Sequence, residues 1–159
     1  MYAMPKISPF LWFDGQAEEA ANFYVSLFPN SRITAVSRFG EVGPGPAGSV
    51  LTVGFELDGA VFQALNGGPD FKFNESVSFV VNCKDQAEVD RYWDALSEGG
   101  QTNVCGWLKD RYGLSWQVTP QVLIDLIGDP DQAKADRVMA AMMQMTKIDI
   151  AKLEEAAAG

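Results

Sequence analysis

The chain has 159 residues, the size of one domain with its own core, and a balance of 47% hydrophobic to 21% charged residues excludes wholesale disorder. Lys and Arg number 12 against 21 Asp and Glu, a net charge of −9, and the cations are scattered singly, which excludes nucleic acid and a polybasic membrane contact as partners. Histidine is absent, so neither a Ser-His-Asp triad nor an imidazole-ligated metal site can be built.

Taken in chain order, residues 7–13 read as a strand, with Pro9 near an edge or strand start because it lacks an amide donor. Asp14-Gly15 stops it, and Asp14 is placed to cap a helix over 16–28 whose stripe of Ala17, Ala20, Ala21, Tyr24 and Leu27 has the helical period. Residues 32–39 form a second strand. Residues 43–48 are a loop: Pro44 and Pro46 remove amide donors, no Lys-Ser/Thr pair follows and a strand comes next, so a phosphate loop does not fit. Two strands, 49–57 and 60–66, flank Asp58-Gly59, a strong hairpin signal. Asn66-Gly67-Gly68-Pro69 ends the second, and residues 70–75 read as a linker carrying Phe71 and Phe73.

A further strand over 76–82 precedes a helix over 85–98 with the stripe Val89, Tyr92, Trp93 and Leu96, stopped by Gly99-Gly100. Strands over 102–110 and 114–118 meet at the turn Arg111-Tyr112-Gly113. The remainder is helical, near 121–127, 130–145 and 149–158, with Asp129-Pro130 as a cap and first-turn pair. The two cysteines, Cys83 and Cys105, form no CxxC motif and read as buried, reduced thiols of a cytoplasmic protein, since no signal peptide or membrane-length apolar run is recognisable.

Gln16-Ala17-Glu18 is repeated as Gln86-Ala87-Glu88 seventy positions later, and the aromatic pairs Phe23-Tyr24 and Tyr92-Trp93 follow at nearly matching places. The repeat coincides with a repeated order of strand, helix and further strands. It predicts two modules of about 70 residues, paired because neither buries both faces of its own sheet.

Phe10-Leu11-Trp12-Phe13-Asp14-Gly15-Gln16-Ala17-Glu18-Glu19-Ala20 with Asn22-Phe23-Tyr24, then Asn66-Gly67-Gly68-Pro69, and finally the run from Cys105 through Gln117, resemble the signatures of the PhnB-like group. That group belongs to the vicinal-oxygen-chelate superfamily, with the glyoxalases and bleomycin-resistance proteins, and its domain carries the label 3-demethylubiquinone-9 3-methyltransferase. The resemblance implies an α+β fold of two paired βαβββ modules forming a cupped mixed sheet, with helices outside and extra C-terminal helices, frequently as a homodimer. On this reading residues 1–159 are a single domain, with modules at 6–68 and 76–119 and a helical extension at 120–159.

In metal-binding relatives the first and last strands of each module project ligands into the cup. The corresponding positions here are Ser8 or Pro9, Gln63, Ser76 or Ser78, and Gln117. Neutral amides and hydroxyls hold divalent metals poorly, so no metal and no cofactor is expected, although Glu56 lies one strand away. Strand alternation sends Ser115 inward with Gln117, and Ser78 opposite Phe79. The ligand-binding candidates are therefore Trp12, Gln63, Ser78, Trp107, Ser115 and Gln117, rimmed by Phe71 and Phe73 and suited to a small, partly apolar molecule. Lys109, Asp110 and Arg111 read as a solvated turn that could also meet an anion.

The leading expectation is a metal-free small-molecule-binding protein with the ligand in the cup. The alternatives are a cup enzyme (a lyase, isomerase or transferase using a carboxylate or Cys105) and an oligomeric interaction module whose cup is filled. A homodimer is expected because Val138, Met142, Met145, Ile148, Ile150 and Leu153 supply apolar surface beyond what the cup needs.

Overall fold

In the computed structural model, which describes residues 4–159, the first module is β1 (Phe10–Phe13), α1 (Ala17–Leu27), β2 (Arg32–Arg38), β3 (Val50–Leu57) and β4 (Ala60–Asn66). The second is β5 (Ser78–Cys83), α2 (Gln86–Ser97), β6 (Gln101–Thr102), β7 (Trp107–Lys109) and β8 (Ser115–Pro120). Three helices follow: α3 (Gln121–Ile127), α4 (Gln132–Met142) and α5 (Ile150–Ala158). Residues 4–72 and 73–159 make two compact units.

Both units carry the same sheet. The order is β1-β4-β3-β2 in the first and β5-β8-β7-β6 in the second, and in each the first strand pairs with the last in parallel while the others run antiparallel. The fold is thus α+β, two βαβββ modules. Phe10 is the register partner of Gln63, and Val80 that of Gln117, so the first strands keep the seventy-residue offset of the sequence repeat while the last strands lie 54 residues apart, the second module being shorter.

In the first unit one sheet face is apolar and meets α1. Leu11, Phe13, Val53, Phe55, Phe62 and Ala64 are buried, and so are Ala17, Ala20, Ala21 and Tyr24 on the helix. The alanines let α1 lie close to the sheet, and the Tyr24 ring stacks towards Phe55 at 6.4 Å. Asp58 and Gly59 both have positive φ, as the two-residue turn between β3 and β4 requires.

Asp14 does not cap α1. The helix has no side-chain cap of its own, and the Ala17 amide donates instead to Asn66 Oδ1 at 2.8 Å, 49 residues away at the end of β4. The Asn66 amide also donates to the Val50 carbonyl, so one side chain ties helix, β3 and β4 together. By contrast α2 is capped locally. Asp85 accepts from the Glu88 amide at 2.9 Å and Glu88 accepts from the Lys84 amide. At α4 the cap is Asp131, not Asp129-Pro130. Asp129 accepts from the Asp131 amide and pairs with Lys134, and the amide bond first, then the ammonium, hold its carboxyl below the usual range.

The expected strand over 102–110 is interrupted. Cys105 and Gly106 both have positive φ, and their amides donate to the carbonyls of Met145 and Thr146 at 2.8 Å each. A Cβ on Gly106 would lie 2.8 Å from the Val118 carbonyl oxygen, which accounts for glycine there. The C-terminal helices consequently belong to the second unit. Leu123, Val138, Met145, Ile148 and Leu153 form their own buried cluster, with Met142 packed against it. The apolar residues that suggest a dimer contact in the sequence are thus largely covered within the chain. Gln86 fastens this cluster to α2: its amide nitrogen donates to the Ile148 carbonyl at 3.0 Å and its oxygen accepts from the Ile150 amide at 2.8 Å.

Candidate functional site

The face of the second sheet opposite the buried row of Val81, Leu108, Trp116 and Val118 is polar. Register fixes which residues share it. Ser78 pairs with Ser115, Ser115 with Lys109, and Lys109 with Gln101, giving one row across four strands. In the neighbouring row Val80 pairs with Gln117 and Gln117 with Trp107. Side chains paired in this way point to the same side. Four of the six predicted residues, Ser78, Trp107, Ser115 and Gln117, are therefore brought together.

Two of these bond to each other: the Gln117 amide donates to the Ser78 hydroxyl at 2.9 Å. The Ser115 side chain is different. It is fully buried, and its hydroxyl has no hydrogen-bond partner among the described residues. It borders a cavity of about 200 Å³ whose other walls include Glu75, Gln101, Asn103, Trp107 and Lys109. An unmet buried hydroxyl costs roughly 1–3 kcal/mol, so its placement at a cavity wall asks for a ligand or water to meet it.

The sequence does not reveal Glu75 as part of this site. It precedes β5, where Asn74 accepts from the Ser76 amide in a tight turn, and its carboxylate forms an ion pair with Lys109. The Lys109 ammonium beside it holds the Glu75 carboxyl below the usual carboxylate range. Lys109 thus faces the cavity and is not a free turn cation. Asp110, expected at a solvated turn, is buried. Its carboxylate accepts from the amides of Tyr112 at 2.8 Å and Leu114 at 3.0 Å, and from the Trp116 indole N–H at 2.9 Å. The tip of that hairpin is an internal bonding centre, which removes Asp110 from any anion-binding role.

The other two predicted residues lie in the first unit. Gln63 is half-buried beside Gly54 and Phe10 and lines a second cavity of about 310 Å³ with Thr52, Thr34, Ala35 and Arg32. Arg32 is paired there with Glu56 at 3.1 Å, so Glu56 is engaged by a cation. Trp12 is held by its own surroundings. Its indole N–H donates to the Gly68 carbonyl at 2.8 Å, and Phe71 meets it edge-on at 4.8 Å. A Cβ on Gly67 would sit 2.4 Å from the indole. The Asn66-Gly67-Gly68 stretch is accounted for as a seat for α1 and Trp12.

Cys83 is buried, donates weakly to the Val81 carbonyl, and burial with Glu88 and Asp85 nearby pushes its thiol up to about 12, which makes it a poor nucleophile at neutral pH. Cys105 is half-buried in the left-handed turn that binds the C-terminal segment.

The paired first- and last-strand positions carry Phe10 with Gln63 and Val80 with Gln117, preceded by Ser78 with Ser115. Hydrocarbons, amides and hydroxyls do not fit a divalent metal centre. No group of three or more Cys, Asp or Glu among the described residues is placed to hold one. Residues 43–48 join β2 to β3 and include Pro44 and Pro46, which does not fit the strand–glycine turn–helix geometry that grips a nucleoside cofactor.

The family model described as 3-demethylubiquinone-9 3-methyltransferase matches residues 5–119. A solved structure from Bacillus cereus, described as a 3-demethylubiquinone-9 3-methyltransferase and PhnB protein, is 38% identical, covers 73% of this chain and 99% of its own, and superposes with a TM-score of 0.68. Protein PA1353 from Pseudomonas aeruginosa is 24% identical over 74% of this chain and 98% of its own, with a TM-score of 0.60. The fosfomycin resistance protein FosX from Listeria monocytogenes shares the fold at 12% identity, covering 80% of this chain and 100% of its own at a TM-score of 0.58. No curated protein matches the sequence.

Proposed function

Since the chain belongs to the family described as 3-demethylubiquinone-9 3-methyltransferase, within the glyoxalase and bleomycin-resistance fold, we propose that it binds a small molecule, without a divalent metal, on the polar face of the second sheet. The observation that supports this reading is the buried, unpartnered Ser115 hydroxyl at the wall of the 200 Å³ cavity. A core serine with no further role would satisfy itself on a backbone carbonyl or be replaced by alanine. Ser78 and Gln117, already bonded, orient one another beside it. Trp107 supplies an apolar wall. The volume suits a ligand smaller than drug size.

A thermal-shift screen of small metabolites, run with a chelator on the wild type and on Ser115→Ala, tests this. Removing an unpartnered hydroxyl leaves the midpoint of the free protein unchanged or higher. Compounds that bind raise the wild-type midpoint by mass action and raise that of Ser115→Ala less. A screen without hits, or hits indifferent to Ser115, overturns the proposal.

A further inference from the structure

The ligand class can be drawn from the groups already in place, and it rests on the small-molecule reading above. We propose that the ligand carries a carboxylate, and that Glu75 occupies the carboxylate's place on Lys109 until the ligand displaces it.

Lys109 and Ser115 are register partners on adjacent antiparallel strands, so an ammonium and a hydroxyl point to the same side within a side chain's reach of each other. The ammonium is met by the Glu75 carboxylate, while the hydroxyl is met by nothing. Glu75 therefore fulfils half of a two-donor site. A ligand carboxylate has two oxygens and can accept from both donors at once, which a neutral amide or alcohol cannot do with equal charge assistance. Glu75 reaches Lys109 from the segment ahead of β5, outside the sheet, and both partners are well exposed. An exposed pair of this kind is weak and is readily exchanged for a better one. Trp107, two residues before Lys109 on the same strand and face, is positioned for the ligand's apolar body, and the Gln101 and Asn103 amides close the polar end. With a chain charge of −9, general attraction does not bring an anion here; only a local cation aimed into a cavity does.

Benzoate and its neutral isostere benzamide are the probes, followed by calorimetry and ligand-observed NMR. Benzoate binds the wild type and benzamide binds about tenfold more weakly or worse. Glu75→Gln removes the internal competitor and tightens benzoate by about two- to fivefold, the fold-change that an exposed ion pair commands. Lys109→Met weakens benzoate about tenfold or more. Glu75 is an exposed residue in the segment ahead of β5, outside helix and strand, so its variant remains folded and carries the test by itself. Benzamide equal to benzoate, no binding of benzoate at millimolar concentration, or Glu75→Gln leaving affinity unchanged or lower overturns the proposal. A neutral library compound that needs Ser115 keeps the small-molecule reading while the carboxylate class falls; a library with no Ser115-dependent hit removes both.

Discussion

Trp116 donates its indole N–H to Asp110 Oδ2 at 2.9 Å, six residues back across the β7–β8 turn, while Oδ1 of the same carboxylate accepts the Tyr112 and Leu114 amides. Three donors converge on one buried acceptor, and the strand that carries Ser115 and Gln117 starts from this knot.

Asp110→Asn keeps an oxygen for the two backbone amides but turns an NH2 group towards the Trp116 N–H, donor against donor. We predict a loss of about 1–3 kcal/mol in denaturant unfolding. Trp116→Phe in the same chain removes the opposing donor, so the double variant loses less than the sum of the singles. Additive losses in the cycle would show that the indole bond is not coupled to the carboxylate.

Gln86→Ala leaves the Ile148 carbonyl and the Ile150 amide without their partner. The effect is expected to be local. Amide exchange at the start of α5 speeds up by about tenfold or more, while the β3–β4 hairpin of the first unit keeps its protection. Uniform acceleration throughout the chain would contradict a local clamp.

Cys83 predicts a particular alkaline behaviour. Unfolded, its thiol ionises near 9.0; folded, it does so near 12. Between those values the unfolded chain binds fewer protons than the folded one, so stability falls as pH rises through this window. Cys83→Ala lacks that contribution, and its unfolding free energy should fall less steeply from about pH 9 to 12. Parallel slopes in the two proteins would rule the linkage out. In the folded wild type at pH 8, Cys83 should resist iodoacetamide and react once denatured.

The repeated strand–helix order and the Asp58-Gly59 turn were legible in the sequence because both depend on local spacing and backbone preference. Alternation likewise placed Ser115 and Gln117 on the side opposite Trp116 and Val118, since a strand's period is independent of what surrounds it. What escaped was set by distant partners. Asp14 is a good capping residue by type, but Asn66 reaches the Ala17 amide from the far end of the sheet. Asp110 in a turn looks solvated until the Trp116 indole is folded over it. Glu75 sits in a linker with no periodicity, and only the folded chain brings it to Lys109. The Met- and Ile-rich C-terminal segment looks like a surface in search of a partner because apolar periodicity does not say which chain will cover it.

The Asn66 cap makes the first helix late. During synthesis the residues of α1 emerge 49 positions before the side chain that satisfies the Ala17 amide, and an eleven-residue helix with no cap of its own is marginal in water. α2 carries Asp85 and Glu88 at its own start and needs nothing from downstream to close its first turn. The two modules, alike in finished topology, are therefore unlike in assembly. The leading one is committed only when its closing strand arrives, whereas the trailing one can nucleate from its helix. A released fragment ending just short of Asn66 should expose the β3 and α1 apolar faces to chaperones, and one ending a few residues beyond it should protect them.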